Sequence, residues 1–228
     1  MHYPHVCRAR FVARPNRFVA RVALPDGTEQ VVHVKNTGRC RELLVPGAPV
    51  YLAESGNPLR KTRYDLIAVE KGPLLVNLDS QAPNRVFAEW AQAGGFRPGL
   101  TLLRPETRWG NSRFDFYWED ADGAKGFVEV KGVTLEEGGH ARFPDAPTQR
   151  GVKHLEELLR CRRQGYEAAV CFVVQMSGMA DFAPNDATHP AFGEALRRAA
   201  AGGVAILARE CAVTPDTLTL TRPVAVRL

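Results

Sequence analysis

Ser112-Arg113-Phe114-Asp115-Phe116-Tyr117-Trp118, then Glu119-Asp120-Ala121-Asp122-Gly123-Ala124, then Lys125-Gly126-Phe127-Val128-Glu129-Val130-Lys131: two runs of mixed apolar and charged residues flank a turn rich in Asp and Gly. That pattern spells a β-hairpin. Successive side chains of a strand point to opposite faces. Phe114, Phe116 and Trp118 are therefore expected on one face, with Arg113, Asp115 and Tyr117 on the other. On the second strand Val128 and Val130 oppose Glu129 and Lys131. Two carboxylates and an ammonium would then project from strands whose other faces are apolar, which makes a candidate metal-and-phosphate site.

Asp115 and Glu129 on adjacent strands repel unless a cation lies between them. Mg²⁺, or Mn²⁺ in its place, suits such a pair, because Mg²⁺ accepts few protein oxygens, keeps several waters and takes substrate phosphates into its shell. It would lower the pKa of a bound water and stabilise charge on phosphoryl oxygens. Lys131, next along the same face as Glu129, would orient that water or neutralise developing charge.

The flanks place this hairpin in an α/β domain. Pro83 to about Ala93 carries Val86, Phe87, Trp90 and Ala91 at helical spacing and ends at Gly94-Gly95. Thr101 to Arg104 is expected as a strand and Pro105 to Asn111 as a turn. A polar loop through Glu136 to His140 leads to a helix capped by Thr148 and running to Arg163, with Val152, Leu155, Leu158 and Leu159 as its buried stripe. Gln149, Arg150, Lys153 and His154 crowd its first turns. Ala168 to Val174 is a buried strand, followed by a helix over Phe192 to Ala201 and a short strand over Val204 to Ala208. The order from Pro83 is αβββαβ with a mixed sheet.

Before it, in a first domain over residues 1–82, the pattern from Arg10 to Asp79 is all-β. Strands are expected at Phe18–Leu24, Gln30–Lys35, Pro49–Glu54, Tyr64–Glu70 and Leu74–Leu78, separated by Pro/Gly turns. Five short strands suit a small barrel, either OB-like or SH3-like. Residues 1–84 hold 12 Lys/Arg against 7 Asp/Glu, so all of the net charge of +5 lies in this first third. Clustered positive charge attracts a phosphate backbone. Arg39 and Arg41 flank the loop Asn36-Thr37-Gly38, and Arg60-Lys61-Thr62-Arg63 adds cations before a strand. Phe18 or Tyr51 is placed to stack on bases.

At 228 residues, 45% hydrophobic and 24% charged, the chain has ordinary globular composition. Its five cysteines are scattered, without a C-x-x-C pair, which argues for a reducing, cytoplasmic compartment and against a disulfide framework. No signal segment and no membrane span is expected. Neither a Walker loop nor G-x-G-x-x-G appears.

Asp115, Glu129 and Lys131 in this order of elements resemble the PD-(D/E)xK nuclease superfamily. The resemblance implies a restriction-endonuclease-like domain over 83–228. Asp115, Glu129 and the Val130 carbonyl would be metal ligands, with Glu89 of the first helix, or else Glu106, as a further acid. Arg150 or Lys153 would stand near the scissile phosphate. Phe114 stands where that family often has Pro. A wider resemblance runs through Arg17-Phe18-Val19-Ala20-Arg21, Asn36-Thr37-Gly38-Arg39-Cys40, Lys61-Thr62-Arg63-Tyr64-Asp65-Leu66, Asn77-Leu78-Asp79-Ser80-Gln81-Ala82-Pro83-Asn84, Gly110 to Phe116, Glu129-Val130-Lys131 and Phe143-Pro144-Asp145-Ala146-Pro147-Thr148. These blocks resemble the sugar fermentation stimulation protein A family. The likeness implies an OB-type barrel, a nuclease-like domain and DNA binding without sequence specificity. Arg17, Asn36, Thr37, Arg39, Arg41, Lys61, Arg63 and Arg113 would contact the DNA, and self-association stays open. Two functions follow: a Mg²⁺-dependent nuclease, or a non-catalytic DNA-binding regulator linked to maltose metabolism.

Overall fold

The computed structural model describes residues 1–228 apart from Thr37 and Pro58. The chain opens with β1 (Val6–Asn16), β2 (Val19–Ala23), β3 (Glu29–Val34), β4 (Pro49–Glu54), β5 (Tyr64–Lys71) and β6 (Leu74–Asn77). Their order is β3-β2-β1-β4-β5-β6, and a parallel pairing of β3 with β5 closes the first five into an OB-like barrel. β1 is the strand that pairs with both β2 and β4, yet the apolar pattern did not delimit it. Its buried side chains are a small Ala9 and a single Phe11, alternating with Arg8 and Arg10, so its hydrophobic signal is weak. Val22, Val32, Val50, Leu52, Leu66 and Val69 fill the barrel interior. Each such burial stabilises by about 1.5–3 kcal/mol.

After the barrel come α1 (Ala82–Gln92), β7 (Leu100–Trp109), β8 (Ser112–Asp120), β9 (Lys125–Val133), β10 (Leu135–Glu137), β11 (His140–Phe143), α2 (Gln149–Arg163), β12 (Glu167–Val174), β13 (Asp181–Pro184), α3 (Pro190–Ala201), β14 (Ala205–Val213), β15 (Leu218–Pro223) and β16 (Ala225–Val226). The main sheet has the order β15-β14-β12-β9-β8-β7. β12 runs parallel to β9 and β14, and the outer pairs are antiparallel. This is the expected mixed, restriction-endonuclease-like sheet. α1 covers one face through Val86 and Phe87 against Phe116, Trp118, Val128 and Val130. α2 and α3 cover the other through Leu155, Leu158, Phe192 and Leu196 with Phe127 and Phe172. No helix among the described residues is long and apolar enough to cross a membrane.

Three local expectations change. Pro105–Asn111 is not a turn: β7 continues to Trp109, because every residue of β7 except Thr101, at a bulge, and the displaced Glu106 pairs along a long β8, and only Gly110-Asn111 turns. The polar loop before α2 is a hairpin of β10 and β11, and β11 finds a parallel partner in β13. Phe114 leaves the face of Phe116 and Trp118 and packs instead against Trp109, Phe127 and His154. The reason lies in the ladder. Regular β8–β9 pairing runs from Glu119↔Lys125 only to Phe116↔Val128. Beyond it the strands part, and Glu106 opposite this break sits at φ +51, so alternation is lost there.

Barrel and sheet domain share one contiguous apolar cluster. A buried polar network crosses the seam. Asp79 accepts hydrogen bonds from Lys35 Nζ at 2.7 Å and Tyr3 Oη at 3.3 Å. Gln175, at the end of β12, donates to Asn77 Oδ1 at 2.9 Å and to the Asp79 carbonyl at 3.0 Å.

Candidate metal and phosphate site

The break between β8 and β9 creates the site. Where the ladder stops, the Val130 N–H donates to Asp115 Oδ2 at 2.7 Å, so a carboxylate replaces the backbone partner. Asp115 Oδ1 accepts from Asn84 Nδ2 of α1 at 2.8 Å. Burial, and then the nearby charge of Glu129, raise the Asp115 pKa above the ordinary carboxylate range. Glu129 is 3% exposed, at the centre of the sheet opposite Val170. Burial alone would raise its pKa too, but the hydrogen bond with His154 and the charge of Lys131 win, and the net direction is down. Lys131 Nζ and His154 Nδ1 both contact Glu129 Oε1. Glu129 Oε2 is buried and has no hydrogen-bond partner.

α2 delivers His154. Thr148 caps the helix, its Oγ1 accepting from the Gly151 N–H at 3.1 Å. Leu155 and Leu158 seat it on the sheet, which turns His154 inward, 5% exposed. Arg150, four residues earlier on the same face, donates from Nε to His154 Nε2 at 3.4 Å. An imidazole that accepts at Nε2 carries its hydrogen on Nδ1 and donates a hydrogen bond from there to Glu129 Oε1.

Several expected site residues lie elsewhere. Glu89 does not reach Asp115: it accepts from the Met1 ammonium at 2.7 Å and lies 3.5 Å from Arg85, because five residues of helix turn it away from the face that Asn84 occupies. Lys153 bonds the Asn111 carbonyl at 3.2 Å, at the β7–β8 turn, on a different helix face from His154. Arg150 meets the carboxylates only through His154. Glu106 is exposed and pairs with Arg113 at 3.3 Å. Tyr51 is occupied by a hydrogen bond to Glu70 Oε1 at 2.7 Å, while Phe18 is 54% exposed.

In the barrel, Arg17, Asn36 and Arg39 gather at one end. Arg14 holds them there, donating to the carbonyls of Arg17, Asn36, Gly38 and Arg39 at 2.6–2.9 Å. The Arg39 N–H donates to Asp145 Oδ2 at 3.1 Å, which ties this loop to the segment leading into α2. Arg41 is exposed on the same loop, and Thr37 lies outside the described residues. Lys61 and Arg63 do not join them. Their loop leaves the parallel β3–β5 pair in the opposite direction, and Arg63 pairs with Glu54 at 2.8 Å.

Among the described residues no group of three or more His, Cys, Asp or Glu forms a ready cation cage. Asp115 and Glu129 nevertheless fit a hard cation of the Mg²⁺ type, which needs one or two carboxylates and fills its shell with water and phosphate. The orphaned Glu129 Oε2 is an acceptor awaiting such a partner. Asn84 and His154 are the two members that sequence reasoning missed. Asn84 had a signal in its place at the start of α1, the end that faces the sheet. His154 had one as the polar member of the Gly151, His154, Leu155, Leu158 stripe.

Known proteins bear on both halves of the chain. The "SfsA N-terminal OB domain" profile matches residues 12–78, and the "Sugar fermentation stimulation protein RE domain" profile matches residues 81–217. A sugar fermentation stimulation protein homolog of Desulfitobacterium hafniense (strain Y51) is 55% identical over 218 residues, 96% of this chain and 94% of that protein. A homolog of Ruminiclostridium cellulolyticum is 50% identical over 228 residues, covering 100% of both. A solved structure of Pyrococcus furiosus SfsA in complex with Ca²⁺ superposes with a TM-score of 0.90 at 28% identity, covering 100% of this chain and 98% of that one. The chain belongs to the sugar fermentation stimulation protein family.

Proposed function

We propose that this protein is a metal-dependent nuclease in which the barrel, residues 1–82, holds DNA and the sheet domain, residues 83–228, hydrolyses it. The observation that carries the reading is the buried, unpartnered Glu129 Oε2 beside Asp115, with Lys131 in contact with the same carboxylate. A surface chosen only to attract phosphate gains nothing from two carboxylates, which repel it. Asp115 and Glu129, with the Val130 carbonyl, hold the cation. When bound, Mg²⁺ or Mn²⁺ supplies Lewis acidity for a phosphoryl oxygen and eases ionisation of water. The Pyrococcus furiosus relative was solved with Ca²⁺, a cation of the same oxygen-seeking class.

The remaining steps belong to the chain's own groups. His154 fixes the Glu129 carboxylate so that Oε2 stays free, and Asn84 with the Val130 N–H fixes Asp115. Lys131 offers its ammonium to the charge that develops on the phosphoryl oxygens. Arg17, Arg39 and Arg41 steer the backbone through charge, and Asn36 and Thr37 hydrogen-bond to it, without reading bases. The loop tied to Asp145 brings that DNA towards α2, while Lys61 and Arg63 serve a second, outlying contact.

The test is cleavage of duplex DNA, single-stranded DNA and RNA with Mg²⁺, Mn²⁺ or EDTA. Cleavage that needs the metal and falls at least about 100-fold in Glu129→Gln, the scale of losing a group that stabilises transition-state charge, is expected. Calorimetry showing no divalent-cation binding, with no cleavage of any substrate, would falsify the reading. Cation binding without cleavage leaves a DNA-binding protein that does not cut.

A further inference from the structure

The tip of the β7–β8 hairpin carries a feature that the carboxylate site does not use. Arg108 and Arg113 are direct cross-strand partners, so two guanidiniums leave one face side by side. Like charges placed opposite each other destabilise a ladder. Arg113 has one acidic partner, the exposed Glu106 at 3.3 Å. Among the described residues Arg108 has neither an ion pair nor a side-chain hydrogen bond. A cleft of about 410 Å³ opens here, lined by Arg108, Gly110, Asn111, Ser112 and Arg113. Ser112 is 7% exposed, and its hydroxyl is buried without a partner. Lys153 bonds the Asn111 carbonyl, which sets a third cation beside the tip.

Position gives this cleft a meaning. Arg113 precedes Asp115 by two residues of β8, about 6.7 Å of strand, which is close to the step from one backbone phosphate to the next. We propose that the hairpin tip is a phosphate subsite, in which Arg108 and Arg113 grip the phosphate neighbouring the one presented to Asp115 and Glu129. Its neighbour's role rests on the nuclease reading. Guanidinium forks match phosphate oxygens bidentately, and a phosphate between two of them relieves their repulsion. Glu106 occupies Arg113 until phosphate arrives. The ligand is a phosphate mono- or diester, either the terminal phosphate of a nucleic-acid end or an internal one.

Binding decides it. The whole chain, Arg108→Gln, Arg108→Lys and Glu106→Gln are titrated in Ca²⁺ with matched oligonucleotides ending in 5′-phosphate, 3′-phosphate or hydroxyl, at low and high salt. Arg108→Gln is expected to weaken binding about tenfold and to lower the salt slope by about one, the signature of one lost phosphate contact. Arg108→Lys keeps the slope, and Glu106→Gln, which frees Arg113, tightens binding. A preference for a phosphorylated end that Arg108→Gln erases assigns the subsite to a terminal phosphate. Equal loss on all ends assigns it to an internal one. Wild-type affinity and slope in Arg108→Gln overturn the subsite and leave the DNA reading intact, whereas a wild-type chain that binds none of the oligonucleotides overturns both.

Discussion

At Asp115 and Glu129 burial acts in one direction and the partners decide the sign. Burial and the neighbouring Glu129 carboxylate raise the Asp115 pKa against the lowering hydrogen bonds from the Val130 N–H and Asn84; Glu129 has an imidazole and an ammonium, so its pKa falls. A raised carboxyl pKa means that the fold holds the proton better than the unfolded chain does. Asp115 therefore costs nothing below its unfolded pKa, destabilises increasingly as pH rises towards the folded one, and does so fully above it. Asp115→Asn should raise the stability of the metal-free protein at pH 7 by about 1 kcal/mol, measured by calorimetry, and lose that gain below about pH 4. Saturating divalent cation should reverse the order, because only the carboxylate is stabilised by it. An unchanged or lower melting temperature in metal-free Asp115→Asn contradicts the account. Glu129 has the opposite sign: its stabilisation is present above the unfolded pKa and is lost as pH falls through the folded one. His154→Ala strips a buried carboxylate of one of two partners and should cost about 3 kcal/mol in urea unfolding. A loss under about 0.5 kcal/mol would show that Lys131 alone suffices.

At the scale of elements, alternation and spacing made most of the fold readable. β8, β9, α2 and β12 stand where their patterns put them, and Thr148 caps α2 as its place predicts. What escaped depends on tertiary contact. The end of the β8–β9 ladder turns Phe114 over, and nothing in a period-two pattern encodes where two strands part. The choice between Asn84 and Glu89 depends on which turn of α1 meets β8. Loop order is similarly long-range. Arg14, on β1, reaches four carbonyls across up to 25 residues of sequence, so one guanidinium pins the backbone at Asn36, Gly38 and Arg39. Arg14→Ala should speed hydrogen exchange at residues 38–41 by an amount equal to about 2 kcal/mol of local stability, with β12 amides unchanged. Exchange that stays slow would mean that Asp145 holds the loop unaided.

For the whole molecule the seam is the decisive region. Asp79 is 2% exposed, and burial with its negative charge pushes the Tyr3 pKa well up. Polar groups that are buried together and satisfied only by each other bind two domains more tightly than loose contact does. Barrel and sheet domain should unfold in one transition by circular dichroism and tryptophan fluorescence alike. Gln175→Ala, which removes the side-chain hydrogen bonds from β12's end to Asn77 and Asp79, should cost about 2 kcal/mol and separate the two signals. Separate transitions in the wild-type chain would refute a shared seam.

Cysteine placement turns that seam into something a chemist can time. Cys40 lies in the barrel's clamped loop, buried and at φ +44, and Cys161, Cys171 and Cys211 lie in the second domain. Burial pushes the Cys40, Cys161 and Cys171 thiols up to about 12 and raises Cys211 as well. Thiolates that hardly form do not react. Cys7 alone is half-buried, so an alkylating dye should mark one thiol first and the other four together, when both halves open at once. The mass count against time then records how often the whole molecule comes apart.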